Sequence, residues 1–280
     1  MVTAEYMYPS LRKILYLALG TAVLSQLLLF PVFSQRFSPQ LSLIATELSV
    51  LWLVILFVRR QPGAAEELLL LNATPLRALV LTIPLAVSGS LLISQFDLHW
   101  GRFLSTLGYA LPLHIQRNII EVQLAGDLAA LLFGLVAVVL SPGIAEELLF
   151  RGLVFAGLYV HRGPRLAVAG AGLFFALVHF NPWQLPALIL LGLLLGMLVY
   201  WTHSIYPAIL AHMLNNALSF AGLNLKVYWG IETLAADRFY SPPMVLALLL
   251  VFAVTALRLR RITPIMPLPP QARSATSLFT

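Results

Sequence analysis

Two adjacent glutamates, Glu146 and Glu147, lie inside an apolar stretch long enough to cross a membrane, and Arg151 follows one helical turn later. Charged side chains near the bilayer centre are costly, about 2.5–3.5 kcal/mol each on the most lenient insertion scale. A carboxylate held where bulk water is excluded can act as a general base toward a single water molecule. We therefore interpret this segment as a functional site with partners on other helices.

Helix geometry predicts different roles for the two carboxylates. Glu147 and Arg151 are four residues apart with the acid first, which is the favourable order for an ion pair on one helix face. Glu146 is rotated by about 100° from Glu147 and can face another neighbour. We expect Arg151 to neutralise Glu147, both in supporting roles, while Glu146 stays free for catalysis. Glu66 and Glu67 lack an arginine at this spacing, and we interpret them as a solvated helix start.

Two further pairs of side chains share a four-residue spacing and therefore a helix face. His179 follows Phe175, whose ring can shield or orient the imidazole, and Asn216 follows His212. An imidazole and a carboxamide one turn apart can both donate hydrogen bonds to a developing oxyanion. The predicted catalytic set consists of Glu146, His179, His212 and Asn216.

The position of a polar turn at 161–165 predicts that Glu146 and His179 meet. Both residues lie about 21–23 Å from this turn at 1.5 Å per residue, so an antiparallel hairpin brings them level with each other. We expect the site to lie within the membrane, nearer its inner face.

The same residues leave the question of a metal open. Glu146, His179 and His212 form a possible zinc set, although the sequence contains neither a His-Glu-x-x-His motif nor any cysteine. Asn216 is a poor zinc ligand and a good oxyanion donor, so we favour a metal-free site without any cofactor.

Composition places these residues in a membrane protein. Of 280 residues, 60% are hydrophobic and 10% are charged, whereas a soluble domain is about 45–50% apolar and about 25% charged. The net charge of +6 comes without a long basic run, so nucleic acid is not an expected partner. The expected partners are the lipid bilayer and a membrane-associated peptide or protein substrate.

Apolar segments predict an all-α transmembrane bundle of about eight spanning helices around a cleft-like polar site. A span needs roughly 20 apolar residues, and the candidates are 14–33, 41–58, 76–94, 127–160, 166–180, 185–201, 207–223 and 243–257. The fourth candidate is too long for a bilayer and is expected to project from it or to break at Pro142-Gly143. Segment 95–126 is predicted to form one or two interfacial amphipathic helices.

These segments also predict the domain limits and the orientation. We expect an integral membrane domain at 1–262, with its catalytic core at about 127–223, and a disordered proline-rich tail at 263–280. Basic residues concentrate on the side of both termini, which predicts cytoplasmic termini. The absence of cysteine and of organellar signals favours a bacterial inner membrane.

The three motifs together resemble those of the CAAX protease and bacteriocin-processing family of intramembrane endopeptidases, which includes the type II CAAX prenyl proteases. The motifs Glu146-Glu147-x-x-x-Arg151, Phe175-x-x-x-His179 and His212-x-x-x-Asn216 occur in the family's order over about 70 residues. The resemblance implies that Glu146 and His179 activate a water and that His212 and Asn216 form the oxyanion hole. Members are described both as metalloproteases and as metal-free glutamate proteases.

Two other classes of function remain compatible with the sequence. One is a non-catalytic immunity or binding protein of the same fold, which the complete motif set argues against. The other is an ion or proton transporter that uses the same buried carboxylates.

Overall fold

The computed structural model describes residues 8–231 and 239–263, and within these ranges it contains helices and no strands. The predicted all-α fold is confirmed. Besides a single helical turn at Ala65–Leu68, the helices are α1 Leu11–Ser34, α2 Pro39–Val58, α3 Leu76–Thr106, α4 Leu113–Gln123, α5 Leu128–Arg162, α6 Pro164–Leu177, α7 Leu185–Thr202, α8 Tyr206–Trp229 and α9 Pro242–Ile262.

Within the described ranges, six helices are long and apolar enough to cross a membrane, namely α1, α2, α3, α5, α7 and α9. All eight predicted spans correspond to helices, but two do not meet this criterion. With 14 residues, α6 is shorter than a bilayer requires. With 24 residues, α8 is long enough, but polar residues such as Asn215 and Lys226 lower its mean hydropathy.

Hydrogen bonds between loops define the end of the bundle at which both described chain ends lie. Tyr8 donates to the carbonyl of Leu68, and Asn72 donates to that of His203. We call this the basic end, and it comprises 8–13, 59–77, 161–165, 203–205 and 258–263. The Tyr8 hydroxyl is buried there, and its burial raises its pKa above the ordinary value.

The opposite end, which we call the far end, is also closed by loop contacts. Gln40 donates to the Glu121 carbonyl, and Trp183 donates to the Tyr109 carbonyl. The far end comprises 34–40, 99–127, 178–184 and 224–231. It contains α4, which is the one separate helix within 95–126, because α3 continues to Thr106 instead of ending near residue 94.

The 35-residue helix α5 is continuous, so of the two expected alternatives the break at Pro142-Gly143 is wrong. The helix is instead locally widened to π-helical turns at Leu135–Leu140 and Leu148–Phe155. Pro142, which has no N–H, lies just after the first of these segments, and the helix continues through it. Such turns are frequent at functional sites, and these two flank the Glu146–Glu147 pair.

Helices α6 and α7 approach each other through glycines. A Cβ atom added at Gly192 would lie 2.7 Å from both the Cα and the carbonyl oxygen of Gly172. The backbones therefore touch directly, as small residues allow in membrane bundles. This close crossing brings the Gly192 carbonyl to the Arg151 side chain.

Helix α9 ends at Ile262. Apart from Thr263, the tail predicted to be disordered lies outside the described residues.

Candidate active site

A cavity of about 550 Å³ is lined by residues from each of the helices α1 to α8. Its lining includes Glu47, Ser90, Ser94, Asp97, Leu98, Gln123, Glu146, Phe175, His179, Gln184, Leu191, His212, Asn215, Asn216 and Ser219. All four predicted catalytic residues are in this set. Three of the lining residues carry carboxyl groups, and within the described ranges no lysine or arginine lines the cavity.

Glu146 lies on the cavity floor between two imidazoles. Its Oε2 atom is 3.9 Å from Nε2 of His179 and 3.9 Å from Nε2 of His212, and the Glu146 side chain is 13% exposed. These distances are too long for direct hydrogen bonds. The gaps are wide enough for a small molecule to contact the carboxylate and an imidazole at the same time.

The His179 ring is fixed by its own helix. Nδ1 lies 2.6 Å from the Phe175 carbonyl oxygen, one helical turn earlier. A carbonyl oxygen only accepts, so Nδ1 carries the proton and the lone pair of Nε2 points toward Glu146. The Phe175 ring contacts the His179 ring at a centroid distance of 4.6 Å in an edge-to-face arrangement, as the spacing predicted.

His212 is held by Glu147. Its Nδ1 atom donates to Glu147 Oε1 at 2.8 Å, and Arg151 Nη1 donates to the same oxygen at 2.7 Å. The predicted Glu147–Arg151 ion pair is therefore present, and both side chains are fully buried. The bond from His212 to Glu147 was not predicted, because residue spacing within a helix cannot reveal contacts between helices.

Arg151 is surrounded by partners from three helices. Besides Glu147, its Nη2 donates to the Gly192 carbonyl at 3.2 Å. Its guanidinium also lies 4.6 Å from the centre of the Phe175 ring, a cation–π contact that is strongest when desolvated. Arg151 thus connects the carboxylate that holds His212 to the aromatic ring that contacts both imidazoles.

Asn216 lines the cavity beside the π-helical segment of α5. Its Nδ2 donates to the carbonyl oxygen of Val138 at 3.0 Å, and its Oδ1 accepts from Asn215. In a regular α-helix the Val138 carbonyl would pair with the N–H of residue 142, which is proline and has none. Asn216 satisfies this carbonyl with one N–H and retains a second N–H for a ligand.

Glu47 of α2 contributes a further carboxyl group to the cavity lining, and it was not among the site residues predicted from the sequence. The residue is 2% exposed, and its Oε2 makes no hydrogen bond within the described part of the chain. It is close enough to Glu146 for the two carboxyl groups to repel each other. The sequence does show Glu47 as a lone acidic residue in an otherwise apolar span of 20 residues, and an acid in such a position by default suggests a function.

The geometry of the three possible zinc ligands does not fit a metal ion as it stands. No group of three histidine, aspartate or glutamate side chains that could hold a metal occurs in the ranges 8–231 and 239–263. Tetrahedral zinc with bonds of about 2.0–2.1 Å requires ligand atoms about 3.3 Å apart. Glu146 Oε2 is 3.9 Å from each Nε2 atom, so a zinc site would require these side chains to move.

The fold and the buried polar cluster define a helical membrane protein with a polar cavity. Residues 128–218 match the family model described as "Type II CAAX prenyl endopeptidase Rce1-like", and this segment contains all three motifs. Comparisons with curated proteins and with solved structures give no significant match. The family match agrees with the resemblance drawn from the motifs and, at the family level, supports a CAAX-type intramembrane endopeptidase.

Proposed function

We propose that this chain is an intramembrane endopeptidase that hydrolyses a peptide bond held against the cavity floor. The observation that carries the proposal is the position of Glu146 Oε2 between Nε2 of His179 and Nε2 of His212, at 3.9 Å from each. A water at about 2.8 Å from both Glu146 Oε2 and His179 Nε2 can donate one hydrogen bond to each. Glu146 and His179 then activate this water as the nucleophile.

The proposed reaction follows from the hydrogen-bonding state of each group. The water oxygen bonds to the peptide carbonyl carbon while one water proton passes to Glu146, and the carbonyl oxygen becomes an oxyanion. The C–N bond then breaks, and Glu146 returns the proton to the leaving amine. Each group ends in its starting state, so the enzyme turns over without a co-reactant.

His212 and Asn216 are the proposed oxyanion donors. Because Nδ1 of His212 already donates to Glu147, its Nε2 can donate only when the ring is an imidazolium. The buried Glu147 carboxylate fixes the orientation of the ring, as the aspartate does in a Ser-His-Asp triad. Asn216 contributes the second N–H of its side-chain amide, the one that does not bond to the Val138 carbonyl.

The test of this proposal is the Glu146→Gln variant. We expect it to abolish turnover while the protein stays folded, because the amide retains size and polarity but cannot accept a proton. Turnover would be measured on membrane peptides with purified enzyme, and folding by thermal unfolding in detergent. Glu66→Gln, at an exposed position, is the matched control with unchanged turnover. Full activity in Glu146→Gln would refute the proposed base.

We further propose that no metal takes part. Metal-depleted, chelator-treated enzyme is expected to keep its turnover, whereas His212→Ala and Asn216→Ala should each reduce it by about 10²–10³ through loss of an oxyanion donor. The measurement combines elemental analysis with turnover before and after chelation. Stoichiometric zinc, with activity lost on chelation and restored by added zinc, would overturn the metal-free mechanism.

The proposed substrate is a membrane-associated peptide or protein, of which a prenylated chain is one form. The proposed location is a bacterial inner membrane with both termini in the cytoplasm. Nucleic acid is not among the proposed partners.

A further inference from the structure

The 550 Å³ cavity extends from the reactive groups toward the far end, whereas the cavity on the other side of Glu146, beside buried Thr21 and Val50, measures only about 20 Å³. On α8 the lining residues run from His212 toward the far end as far as Ser219. On α3 they run from Ser90 to Leu98, again toward the far end, and on α7 Leu191 is the lining residue nearest the basic end. The reactive side chains therefore form a floor, and the opening lies at the far end.

On the basic side of this floor the bundle is closed. Glu147 and Arg151 have no exposed surface, and the next turns of α5 and α7 contribute Leu153, Phe155 and Leu198, each of which is fully buried. A substrate cannot reach Glu146 from the basic end without displacing these side chains. Access from the far end requires no such displacement.

Basic residues mark which end faces the cytoplasm. Ten described lysines and arginines lie at the basic end: Arg12, Lys13, Arg59, Arg60, Arg77, Arg162, Arg165, Arg258, Arg260 and Arg261. Four lie at or beside the far end: Arg36, Arg102, Arg117 and Lys226. Cytoplasmic loops carry the excess of lysine and arginine, so the basic end is the cytoplasmic one.

We propose that the active-site cavity opens on the non-cytoplasmic face of the membrane. The substrate class that this inference names rests on the proposed peptidase function, and the substrate is then a peptide segment in the outer half of the bilayer or outside the cell. Side-chain amides at the opening, from Gln123, Gln184 and Asn215, supply hydrogen-bonding groups for an extended peptide backbone. A prenylated tail on the cytoplasmic leaflet would lie at the closed end, so this inference excludes that form of the proposed substrate.

The chain contains no cysteine, so each introduced cysteine is a unique label site. Ser94→Cys and Ser219→Cys place a thiol in the cavity, and Ala64→Cys places one at the exposed basic end as the matched control. With a membrane-impermeant maleimide, we expect both cavity variants to react in intact cells and Ala64→Cys to react only in inverted membrane vesicles. The proposal would be overturned if a cavity variant reacted only in inverted vesicles, or if neither cavity variant reacted in intact cells.

A second measurement separates this inference from the peptidase function. Internally quenched peptides with a palmitoyl anchor would be added to sealed right-side-out or inverted vesicles that contain the full chain. We expect cleavage only in right-side-out vesicles and none with Glu146→Gln. Cleavage only in inverted vesicles would overturn the inference. Cleavage that is insensitive to Glu146→Gln, combined with the expected thiol labelling, would overturn the peptidase function and leave the outward opening established.

Discussion

Glu147 accepts hydrogen bonds from two cationic or potentially cationic partners through one oxygen atom. Arg151 lies on the same helix, whereas His212 belongs to α8, so this carboxylate joins an ion pair to the proposed catalytic machinery. The four-residue spacing predicts the first contact and says nothing of the second. Glu147 is therefore a positioning residue for His212 as well as a partner of Arg151.

Glu147→Gln should lower both stability and turnover. Arg151 would be left as an uncompensated buried charge, at a cost of about 3–5 kcal/mol. A neutral amide can also hold the His212 ring in the wrong tautomer, and the comparable change in a serine protease triad costs about 10⁴ in rate. Thermal unfolding in detergent and kcat measurements test the two effects. Full stability with no activity, alongside an active Glu146→Gln variant, would reverse the roles of the two carboxylates.

Glu47 contrasts with Glu147 because it is equally buried and has no counter-charge in the described structure. We expect Glu47→Met, of similar volume, to raise the free energy of unfolding by about 1–3 kcal/mol, since an unsatisfied buried polar group is removed. Glu66→Met at an exposed position should change it by less than about 0.5 kcal/mol. Destabilisation by Glu47→Met, measured by thermal unfolding, would show that Glu47 has a partner that stabilises the fold.

At the scale of elements, the crossing of α6 and α7 fixes the positions of His179 and Arg151 within the bundle. Direct backbone contact between Gly172 and Gly192 holds the helix that leads to His179 against the helix whose carbonyl binds Arg151. A side chain at this point would separate the helices. The effect would reach the site through Arg151, although neither glycine lines the cavity.

Gly192→Ala should destabilise the protein by about 1–3 kcal/mol through overpacking against a backbone that cannot yield. It should also reduce turnover by lengthening the bond from Arg151 to Gly192. Gly196→Ala is a matched control one turn along α7, because its added Cβ would meet Val168 at an ordinary 3.5 Å. Thermal unfolding and kcat of both variants test the difference. Equal effects of the two substitutions would contradict a special role for the Gly172–Gly192 contact.

Contacts within one helix were the predictable part of the site. The Glu147–Arg151 and Phe175–His179 pairs follow from a 3.6-residue period, and the shared level of Glu146 and His179 follows from a common rise per residue. The π-helical turns were not predictable in this way. They change the hydrogen-bonding register of α5 locally, and hydrophobic periodicity does not record such a change.

At the scale of the whole molecule, apolar composition was enough to predict a membrane bundle but not how its helices rotate and tilt. The bond between His212 and Glu147 and the place of Glu47 both depend on rotations that a single sequence does not specify. The number of spans also depends on context. Because α6 and α8 enclose the polar site, they are shorter or more polar than a lipid-facing span requires.

The carboxyl groups of Glu47, Asp97 and Glu146 in the cavity lining, without a described lysine or arginine among them, affect what happens after the bond is cut. Hydrolysis of a peptide bond creates a new carboxylate on one fragment, at the position that the uncharged scissile carbonyl occupied. Glu146 has by then returned its proton to the leaving amine, so the new anion lies beside a like charge and is repelled by it. The acidic lining therefore favours rapid product release and opposes the reverse reaction, in which two fragments would have to bind together for ligation.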